Sequence, residues 1–307
     1  MKTNIWTERL NKVIALPQRH QRDALRILGR SFSPNISEEW NTQFNQDSLY
    51  EAWSQILPMR NLYEVNRNII NKKLEEISDF TIVEIGGGNG ALWRNLLNKN
   101  SKGNFILIDP VEDSHNSVAQ NIPDSVNFTS IKSRIQDLEN IPSADIIVCS
   151  LVLHHIPGAD KAENLKYGIE SQGKADIISR LLEGIRKKDG ILILNESDVY
   201  TDIKMPAKSH FLFHRLIDSY VRRCAKSISF MMEFEEISDD LYKKLEHIII
   251  KWCINQVEIA CNASLTERDV YELDMIHWLE LFENVGANVI SHKISDEWHL
   301  FHQYILK

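Results

Sequence analysis

The sequence predicts an α/β fold built on a doubly wound, mostly parallel sheet of seven strands. Three observations point there. Short apolar runs alternate with stretches of helical period. A glycine cluster directly follows the first run. The chain closes with a helix and two strands near enough in sequence to pair as an antiparallel hairpin. The apolar runs are nearly continuous rather than alternating, which marks strands covered on both faces.

Residues 1–78 read as helices broken by prolines. Ile5, Leu10, Val13 and Ile14 share one helical face, which Pro17 ends. Asp23 to Phe32 predicts a second helix, and Ser37 and Asp47 fit as N-caps of two more. After Pro58, the set Leu62, Val65, Ile69, Ile70, Leu74 and Ile77 has a clear helical period. The first strand is Phe80 to Ile85, followed by Gly86-Gly87-Gly88-Asn89-Gly90 and a helix over Ala91 to Leu97. Further strands are predicted at Phe105 to Asp109, Val126 to Phe128, Asp145 to Ser150 and Ile191 to Asn195. Ile177, Ile178, Leu181, Leu182 and Ile185 form one side of a helix between the last two.

Residues 199–265 break this rhythm. Phe213, Leu216, Ile217 and Tyr220 suggest one helix. Leu241, Leu245, Ile248, Ile249, Trp252, Gln256 and Ile259 suggest a longer one, capped by Ser238. Such a pair packs as helices do, and also suits a lid over a substrate. Met275, Trp278, Leu279 and Phe282 lie on the face of the closing helix, which ends near Gly286. Strands at 288–294 and 299–306 follow, with a turn at Ser295-Asp296-Glu297. Four segments result: a helical lid at 1–78, a core at 79–198, a cap at 199–270, and a helix and hairpin at 271–307 that complete the core.

The chain has 307 residues and a formal charge of −8. That balance argues against a broad surface for nucleic acid or anionic membranes, both of which need clustered Lys and Arg. Cys149, Cys224, Cys253 and Cys261 form no CxxC pair, so reduced thiols in a cytoplasmic protein are expected, without a structural zinc site. The N-terminus has no apolar h-region, and no stretch approaches the length of a membrane span.

Four of the twelve glycines fall within Gly86 to Gly90. Without Cβ atoms, a turn between strand and helix can take positive φ and approach a ligand closely. In open α/β sheets this turn lies at the carboxyl edge, where ligands bind. The GxGxxG spacing expected for NAD is not met.

Glu84-Ile85-Gly86-Gly87-Gly88-Asn89-Gly90 resembles the first motif of class I S-adenosylmethionine-dependent methyltransferases, whose fold is Rossmann-like. The resemblance continues in order through Ile106-Leu107-Ile108-Asp109, Asp137-Leu138-Glu139-Asn140-Ile141-Pro142, the segment DIIVCSLVLHHIP from Asp145, and Leu281 to Gly286 with its two strands. It covers roughly residues 79–198 and 271–307. It implies S-adenosylmethionine as cofactor and S-adenosylhomocysteine as product. Glu84, Gly86, Gly88, Gly90, Asp109, Pro110, Asp137, Leu138 and Ser150 would form the cofactor site. Asp109 would bind the ribose hydroxyls, since a carboxylate can accept two hydrogen bonds from a vicinal diol. Asp137 would accept from the adenine amino group, and the Leu138 backbone would meet the ring edge.

His154 and His155 follow the fourth strand and Glu196 follows the fifth. A histidine oriented by a carboxylate is a general-base pair. His154 and Glu196 also fall where small-molecule O-methyltransferases of the plant type place a base and its supporting Glu. The other reading of His154 is a structural residue of the cofactor loop. A cation site from His154, His155, Glu196 and His210 or His214 lacks HxH and HExxH spacing, so no metal is expected. His299 and His302 read as surface or packing residues. The Pro-Pro signature of methyltransferases that modify amino groups of DNA or protein is absent after the fourth strand. An enclosed pocket roofed by aromatics such as Trp6, Trp53, Tyr63, Phe211 and Phe213 would suit a small or peptidyl acceptor. A carboxyl acceptor would need a cationic clamp, for which Arg60 and Arg67 are candidates. A scaffold that binds the cofactor without transfer is the reading from another class, and a homodimer is compatible with all of these.

Overall fold

The computed structural model describes residues 5–32, 51, 53–156, 172–186, 189–197, 238–243, 273, 275–295 and 300–307. The chain divides into two compact units. One comprises Met1–Arg60, Asp160–Ile169 and Val199–Asp269, and the other comprises Asn61–Ala159, Glu170–Asp198 and Val270–Lys307.

In the first unit, α1 (Ile5–Ile14) and α2 (Gln18–Phe32) flank Pro17, whose carbonyl accepts the His20 amide at 2.8 Å. Proline therefore ends one helix and opens the next. Val13, Leu25 and Leu28 are buried, while Ile27 is exposed. The Ser238 hydroxyl accepts the Leu241 amide at 3.2 Å, an N-cap bond. Ser37, Asp47, His210, His214, His299, Cys224, Cys253, Cys261 and the cap segment from 244 onward lie outside the described residues.

In the second unit, α3 (Leu57–Leu74) leads into a seven-stranded sheet. Its strands are β1 (Phe80–Ile85), β2 (Gly103–Ile108), β3 (Val126–Ile131), β4 (Ile146–Ser150), β5 (Ile191–Ser197), β6 (Val289–Ile294) and β7 (Phe301–Leu306). The order is β3-β2-β1-β4-β5-β7-β6. The first five are parallel, and β7 runs antiparallel between β5 and β6. Burial explains the apolar runs: β1, β5 and β7 are buried at every residue. On one face, Ile70 of α3 packs with Phe80, Ile82, Phe105, Ile146, Val148, Ile193 and Ile305. On the other, α6 (Met275–Asn284) sets Phe282 edge-on to Tyr304, with ring centroids 5.0 Å apart. α5 (Gln172–Arg186) buries Ile177, Ile178, Leu181, Leu182 and Ile185.

Five features differ from the expectations above. The helix expected at Ala91 to Leu97 is a single 3-10 turn, Ala91–Trp93. Arg94 leaves the helical region with ψ 116, and Asn95 takes φ 59. Leu92, Trp93, Leu96 and Leu97 are all buried, so core packing overrides helix propensity. Between β2 and β3 lies an unforeseen helix, α4 (Glu112–Ala119), with Glu112 and Asp113 in its first turn. β5 runs on to Ser197 because it pairs with β7 as far as Ser197 and Phe301, so Glu196 lies within the strand rather than after it. β3 likewise extends to Ile131. From Asn61 onward α3 goes with the sheet rather than with a helical segment at 1–78. Its Leu62 and Ile70 are completely buried.

Candidate functional site

The carboxyl ends of β1, β2, β4 and β5 bring most of the sequence-selected residues to one edge. At the end of β1 the Gly86 amide bonds to the Ile108 carbonyl at 3.0 Å. Gly86 has φ 75 and Gly88 φ 52, both in the left-handed region. The two differ in surroundings. A Cβ on Gly86 would lie 2.3 Å from Val152 Cγ2, whereas one on Gly88 would meet nothing within 4 Å. Gly86 is thus closed off by the protein's own valine, and Gly88 is where bare backbone faces open space. Gly90 starts the 3-10 turn, close to the Ser117 carbonyl.

Asp109 stands just beyond β2 and is buried. Its Oδ2 accepts the Gly87 amide at 2.8 Å and its Oδ1 the Val111 amide at 2.7 Å. Its own carbonyl bonds to His115 Nε2 at 2.8 Å, so that nitrogen carries the proton and Nδ1 accepts the Ser130 hydroxyl at 2.7 Å. The carboxylate therefore holds the glycine loop, and each oxygen keeps lone-pair capacity for a hydroxyl donor. Pro110 follows, exposed.

Glu84, on β1, is also buried, and its Oε2 has no hydrogen-bond partner; neither has the indole Nε1 of Trp93. Desolvation pushes the Glu84 pKa up from 4.5 to about 8, moderated by the pull of the Trp93 indole and reinforced by the charge of Asp109. Its carboxyl is thus mostly protonated at neutral pH. Ser150 ends β4, half-buried, opposite Asn195 of β5.

Asp137 sits on a short 3-10 turn, exposed, with both oxygens on Arg134 at 2.7 and 3.0 Å. That pairing lowers the Asp137 pKa. The Leu138 carbonyl accepts from the Arg180 guanidinium. Both groups expected at the adenine are engaged with arginines.

The turn after β4 is organised by Glu196, which is 1% exposed. Its Oε1 accepts the amides of Val152 at 3.2 Å and Leu153 at 2.7 Å, and its Oε2 bonds His154 Nδ1 at 2.8 Å. Three donors thus converge on one buried carboxyl group. His154 Nδ1 donates here, which leaves Nε2 as the acceptor nitrogen. Leu151 is held at φ 56, a costly conformation for a branched side chain, by its amide bond to the Asn195 carbonyl at 2.8 Å. The turn thereby sends Val152 onto Gly86 and His154 onto Glu196. His155 is exposed beside His154.

Two features escaped the sequence reading. Arg67 of α3 donates to the carbonyls of Leu92 at 2.9 Å and Ala91 at 2.6 Å. These are carbonyls that a continuing helix would have satisfied, so the guanidinium replaces the missing turn. Two of its donors are therefore committed to the loop. The second is a buried amide cluster: Gln303 donates to Asn66, and Asn195 lies opposite Gln303 in register. Polar residues inside apolar segments leave no periodic signal. Of the proposed pocket aromatics, Tyr63 packs against the sheet core and Trp53 is buried. The Trp6 side chain, Phe211 and Phe213 lie outside the described residues. Among the described residues no group of three His, Cys, Asp or Glu could hold a metal ion, and no helix is long and apolar enough to cross a membrane.

Residues 83–167 match the family model of a methyltransferase domain. A ubiquinone biosynthesis O-methyltransferase from Rickettsia bellii is 25% identical over 229 residues, covering 74% of this chain and 89% of the relative. Among solved structures, magnesium protoporphyrin IX methyltransferase from Synechocystis PCC 6803 is 10% identical with a TM-score of 0.47, covering 89% of this chain and 96% of the other. The 1,6-didemethyltoxoflavin-N1-methyltransferase of Burkholderia thailandensis is 12% identical with a TM-score of 0.48, covering 95% and 90%. The family match places a methyltransferase domain over residues 83–167, and the sheet order with its antiparallel closing pair and the glycine loop at the carboxyl edge agree with it.

Proposed function

We propose that this protein methylates an oxygen or carbon acid of a small organic acceptor, with His154 as base and Glu196 as the residue that orients it. The observation that carries the reading is the 2.8 Å bond from His154 Nδ1 to the buried Glu196, which aims Nε2 away as a proton acceptor. Bound S-adenosylmethionine supplies a methyl group on a sulfonium, a good leaving group. The residues present suit it. Gly88 offers open backbone, and Asp109 keeps one acceptor site per oxygen for ribose hydroxyls. Glu84, Gly86, Gly90, Pro110 and Ser150 frame the same edge, while Asp137 and Leu138 would contribute only after leaving their arginines.

The chain's own part is positioning and proton removal. His154 Nε2 takes the proton of the acceptor as it is methylated, and Glu196 stabilises the imidazolium that forms. The Rickettsia relative is named for O-methylation in ubiquinone biosynthesis, which favours oxygen as acceptor atom. A carboxyl acceptor finds less support, because Arg67 is already engaged. We further propose a cytoplasmic protein, as homodimer or monomer, that acts on small or peptidyl acceptors and not on nucleic acid or at membranes. The formal charge of −8 supports that choice.

The test is transfer of labelled methyl from S-adenosylmethionine to a panel of phenols, catechols and carboxylic acids. His154→Ala should keep its affinity for S-adenosylhomocysteine and lose turnover. Undiminished turnover would remove His154 as base.

A further inference from the structure

Glu196 does not end the row of titratable groups that starts at His154. On the neighbouring strand it stands directly opposite His302. In an antiparallel pair, directly opposed residues share a face, with Cβ atoms about 4.5–5.5 Å apart. His302 is 3% exposed, and its Nδ1 lies 3.0 Å from Nε2 of His292 on the edge strand β6. His292 in turn stacks on Tyr304, with centroids 4.7 Å apart and planes 9° apart. It is half-buried and reaches the boundary of the molecule.

We propose that His302 and His292 extend the His154–Glu196 pair into one coupled row, in which a proton on the outer histidines weakens the base. His302 is then a positioning residue for the reaction, and acts through Glu196 rather than on substrate. The physical basis is competition for one carboxylate. When the outer pair is neutral, the negative charge of Glu196 is spent on the Nδ1–H of His154 and on two backbone amides. A proton on His302 or His292 draws on that charge from the far side, and Nε2 of His154 becomes a poorer acceptor. Burial lowers the pKa of His292, so the outermost histidine of the row takes up a proton only as the medium turns more acidic. The switch therefore opposes catalysis in acid.

Other titratable groups stand on the elements packed around this row. Cys149 of β4 has its thiol pushed far up by burial and by the charges of Glu196 and Glu84. Lys174 of α5 is buried, with its ammonium on the Ile156 carbonyl at 2.6 Å. His277 of α6 is buried, and His155 is exposed next to His154. None of these is placed between Glu196 and His302 by strand pairing. The catalytic consequence rests on His154 being the base, but the coupling itself does not.

The experiment is NMR titration of the histidine-labelled protein without any acceptor, across about pH 5 to 8, where histidines change charge. In the native sequence the His154 ring signal should inflect twice, once together with His292. In His302→Phe, which keeps an aromatic ring for stacking, the shared inflection should vanish. In His292→Phe, at the half-buried edge, it should vanish as well while the fold is retained. His154 curves that superimpose in all three proteins would overturn the coupling. If His302→Phe does not fold, the comparison with His292→Phe decides alone. A failed base reading shows separately, as full turnover in His154→Ala.

Discussion

Glu84 and Glu196 are the same residue type on the same sheet, and both are buried within β-strands. Their surroundings are opposite. Glu196 receives two backbone amides and a histidine, whereas Glu84 has an oxygen with no partner and its pKa is raised to about 8. Burial is common to both, so the difference lies in the partners each carboxyl group meets. One glutamate can organise a turn and an imidazole; the other is a neutral acid lodged beneath the glycine loop.

The sharpest way to break this contrast is Glu196→Ala. It leaves the Val152 and Leu153 amides and His154 Nδ1 without their acceptor. Turnover should fall at least about 100-fold, the lower range for loss of acid–base help. Stability in urea should drop by about 3 kcal/mol, as for a charged hydrogen-bond acceptor removed from a buried site. Glu196→Gln should regain much of the stability, because its amide oxygen still accepts the backbone donors.

Asp109→Ala comes next. S-adenosylhomocysteine affinity should fall by about 10–100-fold, the worth of one or two charge-assisted bonds. Unchanged affinity by calorimetric titration would remove Asp109 from the ribose.

Glu84 tests the other half of the contrast. A carboxyl whose folded pKa lies above its unfolded value holds its proton more tightly when folded. Its contribution is complete below the unfolded value of 4.5 and is lost as pH rises through about 8. Unfolding free energy should therefore decline across that window, by at most about 1.4 kcal/mol per pH unit. Glu84→Gln should flatten the decline and leave stability at low pH nearly unchanged. A slope identical in both proteins, from urea unfolding at several pH values, would assign the decline to other groups.

The smallest effect is expected at Leu151. Its φ of 56 suits glycine, so Leu151→Gly should cost little stability or gain up to about 1 kcal/mol, despite the lost side chain. The denaturation midpoint reads it.

Most of this architecture was legible in the sequence, for one physical reason. Strands buried on both faces are rich in apolar residues on both, so Phe80 to Ile85 and Ile191 to Leu194 announce themselves. The glycine loop was legible because Gly86, Gly88 and Gly90 all take positive φ, which favours glycine. The 3-10 turn at Ala91–Trp93 was not, since its helix-like pattern reflects burial on several sides and its carbonyls depend on Arg67, 24 residues earlier than Ala91. α4 went unseen because it buries Ser114 and His115 along with Val118, which is no apolar stripe. His154 and Glu196 could be paired from their places at neighbouring strand ends. That His302 lies opposite Glu196 depends on β7 inserting between β5 and β6, and on a register that no local pattern encodes.

Calorimetric titration of the purified protein with S-adenosylhomocysteine, with NAD as control, decides whether the carboxyl edge of this sheet holds a methyl-donor site. Micromolar binding of S-adenosylhomocysteine and none of NAD is expected, with the binding weakened in Asp109→Ala. Binding of NAD instead, or of neither compound under conditions where the protein is folded, would contradict it.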